Sequence, residues 1–331
     1  MTPKWKEFNA EIITPLFIAG AENRRITKEL LLKEGLRPPS IKGSLHFWFR
    51  AMMGGIIKDA DKFTYLRELE GRLLGDIKSS STFKIRTYLD DLYYHKVHLG
   101  MNDPRTPSKL AIIPPTKLTL KLKIEPKPQK LVLSTLWLAT MIGNFGGRVT
   151  RAFGSIQLNV PKPSDGLNFI YKGNRLVDIK EFMETNFNLI YECFKKYANS
   201  GGYSGPPDKI TFPVVSKEYT KLYVISPKNI YWRNWKSAMD DIRDKFYRKF
   251  KDYINVKTIG SPPIPSPLYL SIKKANQNDF FGIVLVFKDD IYVGKYKTYF
   301  KDNDGPFGKI EKFMKNMKQL EYKEIDLSYE Q

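Results

Sequence analysis

Two short stretches of this chain put cations and glycines where a polyanion could meet them. In LRPPSIKGSLHFWFRAMMGG (Leu36–Gly55), Lys42, His46 and Arg50 follow one another at a spacing of four, which sets them on one side of a helix. Gly43, Phe47 and Gly54 share that side, while Ile41, Leu45, Trp48, Phe49, Met52, Met53 and Ile56 form the apolar one. A glycine inside a helix costs ~1 kcal/mol relative to alanine, so the pair predicts a close approach to the backbone. A helix N-terminus carries free N–H groups and partial positive charge, which suits phosphate. In NFGGRVTRAFGSIQ (Asn144–Gln157), Gly146 and Gly147 lead into Arg148 and Arg151. Paired glycines permit φ > 0 and successive N–H groups aimed at an anion, though the same pair would also serve as a plain helix C-cap. Phe47 and Phe153 are candidate stacking surfaces for bases. Arg24 and Arg25, adjacent in a polar stretch, complete the cationic set.

Catalytic chemistry has thinner support. The three histidines are His46, His95 and His98. Metal-free RNA cleavage needs a general base and acid, and His46 beside Arg50 is the candidate base; a histidine that only hydrogen-bonds phosphate is the plainer reading. His95 and His98, with Asp90 and Asp91 upstream, would hold a metal only if a helix or turn aligned them. No Walker loop, nucleophile elbow or paired catalytic carboxylates stand in the sequence, and no cofactor is expected.

The whole chain points the same way. Its 331 residues allow two domains, and the net charge is +20, which favours nucleic acid before an acidic membrane surface. Residues 1–163 carry +13 of that excess and residues 164–331 carry +7. Cys193 stands alone, so neither a disulfide framework nor a cysteine zinc site is expected, and packing suits it better than nucleophilic work. The opening MTPKWKEFNAEI lacks the apolar core of a signal peptide, and no run is long enough to cross a bilayer. A cytoplasmic protein with no membrane partner is expected.

Positioning these residues requires a fold. A strand is predicted over Phe8–Ala19, a helix from an N-cap at Ser40, and a second helix over Phe63–Leu74. Strands follow over Thr82–Leu89 and Pro115–Glu125, then a buried helix over Leu131–Ile142 and a strand from Arg151. This order, β-α-(α)-β-β-α-β, is the ferredoxin-like one. It places the first and fourth strands side by side, so that Lys42, Arg50, Arg148 and Arg151 are expected to converge on one rim. NVPKPSDG (Asn159–Gly166) reads as a linker, giving domains 1–162 and 163–331. In the second, Trp232, Trp235, Met239, Ile242, Phe246 and Phe250 form one helical stripe read as core, with Arg243, Arg248 and Lys249 on a solvated or nucleic-acid-facing side. Leu268–Lys273 and Phe280–Phe287 read as paired strands.

LRPPSIKGSLHFWFRAM (Leu36–Met52), FGGRVTRAFGSIQL (Phe145–Leu158) and the opening TPLFIAGA (Thr14–Ala21) resemble the signature stretches of a known family. It is the RAMP-superfamily subunit conventionally numbered one in the Cmr complex, the type III-B CRISPR RNA-silencing effector. SPLYLSI (Ser266–Ile272) is similar to a strand these proteins carry late. The resemblance implies an α+β chain of two ferredoxin-like domains with insertions and a role in antiviral defence. It implies binding of guide RNA towards its 3′ end and assembly with other Cmr subunits, without cleavage, and leaves direct contact with target RNA open. It carries RNA contact onto Lys42, Trp48, Arg50, Gly146, Gly147, Arg148 and Arg151, although the helical wheel turns Trp48 into the core. Two other readings stand beside it: a metal-independent RAMP-type endoribonuclease using His46, and a scaffold whose basic surface binds protein.

Overall fold

The computed structural model describes residues 3–18, 27–57, 62–99, 107–171, 173, 175–199, 212–228, 230–254, 267–276, 278–288 and 306–329. The first half runs β1 (Trp5–Ile12), α1 (Lys28–Glu34), α2 (Pro38–Gly54), α3 (Lys62–Leu74), β2 (Phe83–Asp91), β3 (Tyr94–His98), β4 (Ser108–Ile112), β5 (Lys117–Ile124), α4 (Gln129–Met141) and β6 (Ile156–Asn159). Alternation dictates the sheet. Phe8, Ala10 and Ile12 of β1 and Leu118, Leu120, Leu122 and Ile124 of β5 are buried, and their neighbours in the chain face away. The strand order β2-β5-β1-β6, with the β1, β5 and β6 pairings antiparallel, is the ferredoxin-like one. The β3–β4 hairpin is an insertion.

The second half repeats the plan. After α5 (Leu176–Asn199) come β7 (Thr220–Pro227), α6 (Trp235–Met239), a π-helical segment (Asp240–Phe246), α7 (Tyr247–Tyr253), β8 (Leu268–Asn276), β9 (Asp279–Phe287), α8 (Pro306–Asn316) and β10 (Leu320–Glu324). The sheet order β10-β7-β9-β8 again gives a ferredoxin-like arrangement with antiparallel neighbours. The predicted strand pair is β8–β9, and the aromatic stripe is core: Trp232, Met239, Ile242, Phe246 and Phe250 are all buried.

Three local expectations change. Helix α2 starts at Pro38, with Arg37 as its extended cap, not at an N-cap on Ser40. Proline suits the first helical position, because its missing N–H would be unbonded there anyway. Strand β1 stops at Ile12, and the chain then continues through single bridges from Leu16 to Ile112 and from Phe17 to Gly147. No strand begins at Arg151. Val149–Arg151 is a 3-10 turn between two left-handed residues, Arg148 (φ 61) and Ala152 (φ 60), which break any extended run before Ile156.

Candidate nucleic-acid interface

The loop after α4 is built by close packing. Gly146 has φ 80 and sits against the Phe17 carbonyl oxygen, where a Cβ would collide; only glycine meets both demands. The Gly147 N–H donates to Phe17 O at 2.8 Å, and the Gly154 N–H to Pro15 O at 2.9 Å. The expected run of free amides is therefore corrected at Gly147, whose N–H closes the loop onto the segment after β1.

The same loop is bolted to the second half. Asn144 Nδ2 donates to Leu270 O at 2.7 Å and to Val149 O at 2.5 Å, while its Oδ1 accepts from Ser271 Oγ at 2.9 Å. The Ala152 N–H donates to Leu270 O, and Ser155 Oγ to Ile272 O at 2.5 Å. Lys273, 1% exposed, donates to Ser155 Oγ at 2.8 Å and to Gly143 O at 3.2 Å. Beyond the loop, Gln157 spans the gap between edge strands β6 and β8. Its amide donates to Lys274 O and accepts from the Lys274 N–H, as a strand's backbone would. Lys274 Nζ also pairs with Glu11 at 2.9 Å.

This docking gathers guanidinium groups. Arg151 lies 5.5 Å from the Tyr247 ring centroid, and Arg243 lies 5.2 Å from that of Phe153. Tyr247 follows Arg243 by four residues, so two cation–π contacts pin the arginine loop against one helical turn. Arg248 approaches Asp244 at 3.7 Å, and Arg243 bonds Asp244 through Nε (3.1 Å) and Nη2 (2.8 Å). Loss of hydration, then the charges of Arg151 and Arg243, push the Arg148 guanidinium below its ordinary range. Arg243 is pushed the same way by burial, against the pull of Asp244. Like charges held this close destabilise one another, so a counter-charge beside Arg148 would relieve them.

Arg243 is the residue the sequence hides. It is 5% exposed, not on a solvated face. Its spacing, four residues after Met239 and three before Phe246, sets it on the flank of the apolar stripe. Its charge is what hides it, because the Phe153 ring that receives the guanidinium, beside Asp244, is brought there by the fold.

The cations of α2 are engaged elsewhere. Lys42 Nζ donates to Ser81 Oγ at 2.8 Å, beside the Phe83 ring. His46 Nδ1 meets Glu70 Oε1 at 2.6 Å, and Arg50 Nε reaches the same carboxylate at 3.2 Å. These contacts bind α2 to α3 and to the start of β2. The glycine loop meets α2 further along, where Gly143 packs on the Trp48 indole. The expected convergence of Lys42 and Arg50 with Arg148 and Arg151 is thus corrected: the two sets have different neighbours. Gly54 is closely approached by the Phe212 ring, while around Gly43 there is open space.

The aromatic candidates are also re-assigned. Trp48 (2% exposed) and Phe153 (0%) are core residues with no ring face open to a base. Phe47 is half-buried, stacked on Tyr269 of β8 at 5.6 Å. Arg24 and Arg25 lie outside the described residues. His95 and His98 stand on strand β3, where a spacing of three turns side chains to opposite faces. Among the described residues no group of three His, Cys, Asp or Glu side chains is placed to hold a metal, and no helix is long and apolar enough to cross a membrane. Cys193 is half-buried, and burial pushes its thiol up, away from nucleophilic work.

Residues 9–157, which span the first sheet, its helices and most of this loop, match the model of the RAMP superfamily. They form a RAMP-superfamily domain. The chain is 23% identical over 186 residues to the CRISPR system Cmr subunit Cmr1-2 of Pyrococcus furiosus, covering 46% of this chain and 94% of that protein. In fold it is similar to the crystal structure of apo Cmr1 from Pyrococcus furiosus, with a TM-score of 0.60 at 18% identity, covering 97% and 98% of the two chains. It is also similar to a chain of the cryo-EM structure of the type III-B Cmr-beta complex bound to cognate target RNA. There the TM-score is 0.51 at 13% identity, covering 87% and 95% of the two chains. The RAMP domain thus carries the arginine loop, and the second ferredoxin-like unit carries the helix that closes on it.

Proposed function

We propose that this chain is the non-catalytic, RNA-binding subunit one of a type III-B CRISPR effector. In this reading it holds guide RNA towards its 3′ end while assembled with the other Cmr subunits. The observation that carries it is the gathering of Arg148 and Arg151 with Arg243, which shares Asp244 with Arg248, in a chain of net charge +20. Such a surplus draws phosphates by counterion release whatever the base sequence. The RAMP match and the relatives named as Cmr subunits support RNA over other polyanions. Two units divided near Lys162 suit the exposed residues 161–163 that lead away from β6.

Fluorescence anisotropy with a labelled guide-type RNA tests the assignment. Arg148→Glu with Arg151→Glu is expected to weaken binding at least tenfold and to flatten its salt dependence; an unchanged slope removes the phosphate role. A second reading draws on the His46–Glu70 bond, which orients the ring as a general base is oriented and leaves Nε2 for proton transfer. His46→Ala is expected to keep affinity within twofold. An RNA cleavage product that vanishes in this variant would favour the endoribonuclease instead.

A further inference from the structure

The first sheet has helices on one face only. Antiparallel register sets three cross-strand rows on the other: Trp5–Lys123–Lys84, Glu7–Lys121–Arg86 and Asn9–Thr119–Tyr88. No described element covers them. Rows two residues apart along a strand are ~6.7 Å apart, and neighbouring strands are ~4.8 Å apart. Trp5 and Tyr88 therefore stand two rows and two strands apart, roughly 13 Å by 10 Å, a span for a few nucleotides. Each ring is held against a cation. The Arg86 guanidinium carbon is 4.7 Å from the Trp5 centroid, and Lys121 Nζ is 5.4 Å from that of Tyr88. Tyr88 is 46% exposed, which leaves the ring open to a ligand.

Charge on this face is lopsided. Lys84, Arg86, Lys121 and Lys123 gather at the Trp5 end, with Glu7, paired to Lys121, as the acid among them. Glu11 lies further along and is held by Lys274, while at the Tyr88 end Asp90 accepts from Thr119 Oγ1 at 3.1 Å and Asp91 lies beyond it. Lys84 and Lys123 have no carboxylate within ion-pair distance among the described residues. An acidic protein partner would use the cations but has no need of two rings presented beside them. A single strand of RNA uses both, since phosphates meet the lysines while unpaired bases stack on the rings and on the guanidinium plane.

We infer that the open face of the first sheet is a second binding surface for single-stranded RNA, separate from the arginine junction. Its contacts are Trp5 and Tyr88 as stacking rings and Lys84, Arg86 and Lys123 as phosphate partners. It does not depend on the junction reading, because it uses none of the same residues.

The test is anisotropy of the full chain with a labelled, mixed-sequence 15-nucleotide RNA over a salt series. Tyr88→Ala, Trp5→Ala/Tyr88→Ala and Arg86→Glu/Lys123→Glu are compared with Arg148→Glu/Arg151→Glu. Each double variant on the sheet is expected to lose at least fivefold in affinity, and the charge variant to show a shallower salt slope. Crosslinked peptides are expected from residues 83–91 and 117–124. If Trp5→Ala lowers the melting temperature, Tyr88→Ala alone carries the stacking arm, since that ring is exposed. Affinity within twofold of the native chain in every sheet variant overturns the inference, even if their assembly with protein partners fails. Loss confined to the Arg148/Arg151 variant would uphold the junction and overturn the sheet; loss confined to the sheet variants would do the reverse.

Discussion

Lys273 has three oxygen acceptors, Ser155 Oγ, Gly143 O and Ile156 O, and no carboxylate. Burial alone holds its amine well below the usual lysine range. On unfolding the group returns to about 10.4, so between the two values the unfolded chain binds more protons. Stability therefore climbs as pH rises through that window and falls as pH drops. Lys273→Met keeps the length and removes the titration. In thermal melts from pH 7 to 10, the native chain is expected to gain on this variant as pH rises. Parallel curves would mean that the amine stays charged in the fold. The strand carrying Lys273 is readable in the sequence from SPLYLSI. Its burial is not, because the partner Ser155 lies 118 residues away.

At the level of elements, the strap between the arginine loop and β8 depends on Asn144. Its amide satisfies two backbone carbonyls and the Ser271 hydroxyl. Leaving a buried polar group unbonded costs ~1–3 kcal/mol each. Asn144→Ala is expected to lower stability by about 2–4 kcal/mol in urea denaturation, the groups not all being left bare. Its RNA affinity is expected to fall as well, since the arginines ride on the loop it holds. The elements themselves were largely legible. Alternation marked β5, all-round apolarity marked α4, and the glycine pair marked a turn that must bend sharply. What alternation misjudged was Arg151 onward, because two non-glycine residues adopt left-handed backbone there and side-chain pattern does not encode φ. The π-helical segment escaped for the same reason, since a stripe of apolar residues looks the same with one extra residue in the turn.

Across the whole molecule, one core joins both halves. Leu120 and Leu122 of the first sheet, Phe187 and Ile190 of α5, and Leu222 and Leu285 of the second sheet belong to a single buried cluster. Heat is expected to unfold the chain in one transition, with calorimetric and van't Hoff enthalpies equal; two resolved transitions would show that the halves stand alone. The excess of positive charge and its bias towards residues 1–163 were plain from composition. Its partition between a junction, a helix pair and an open sheet was not, because strand order and register decide which cations become neighbours.

Gln157 stands in for a stretch of backbone where β6 faces β8, and this limits how such a chain can be recombined. A chimera that joined this first half to a foreign second half would have to present backbone in the same register to that amide, and would leave Asn144 and Ser155 without the Ser271 hydroxyl and the Lys273 amine. The halves look like interchangeable cassettes in their topology, yet their polar seam ties each to its own companion.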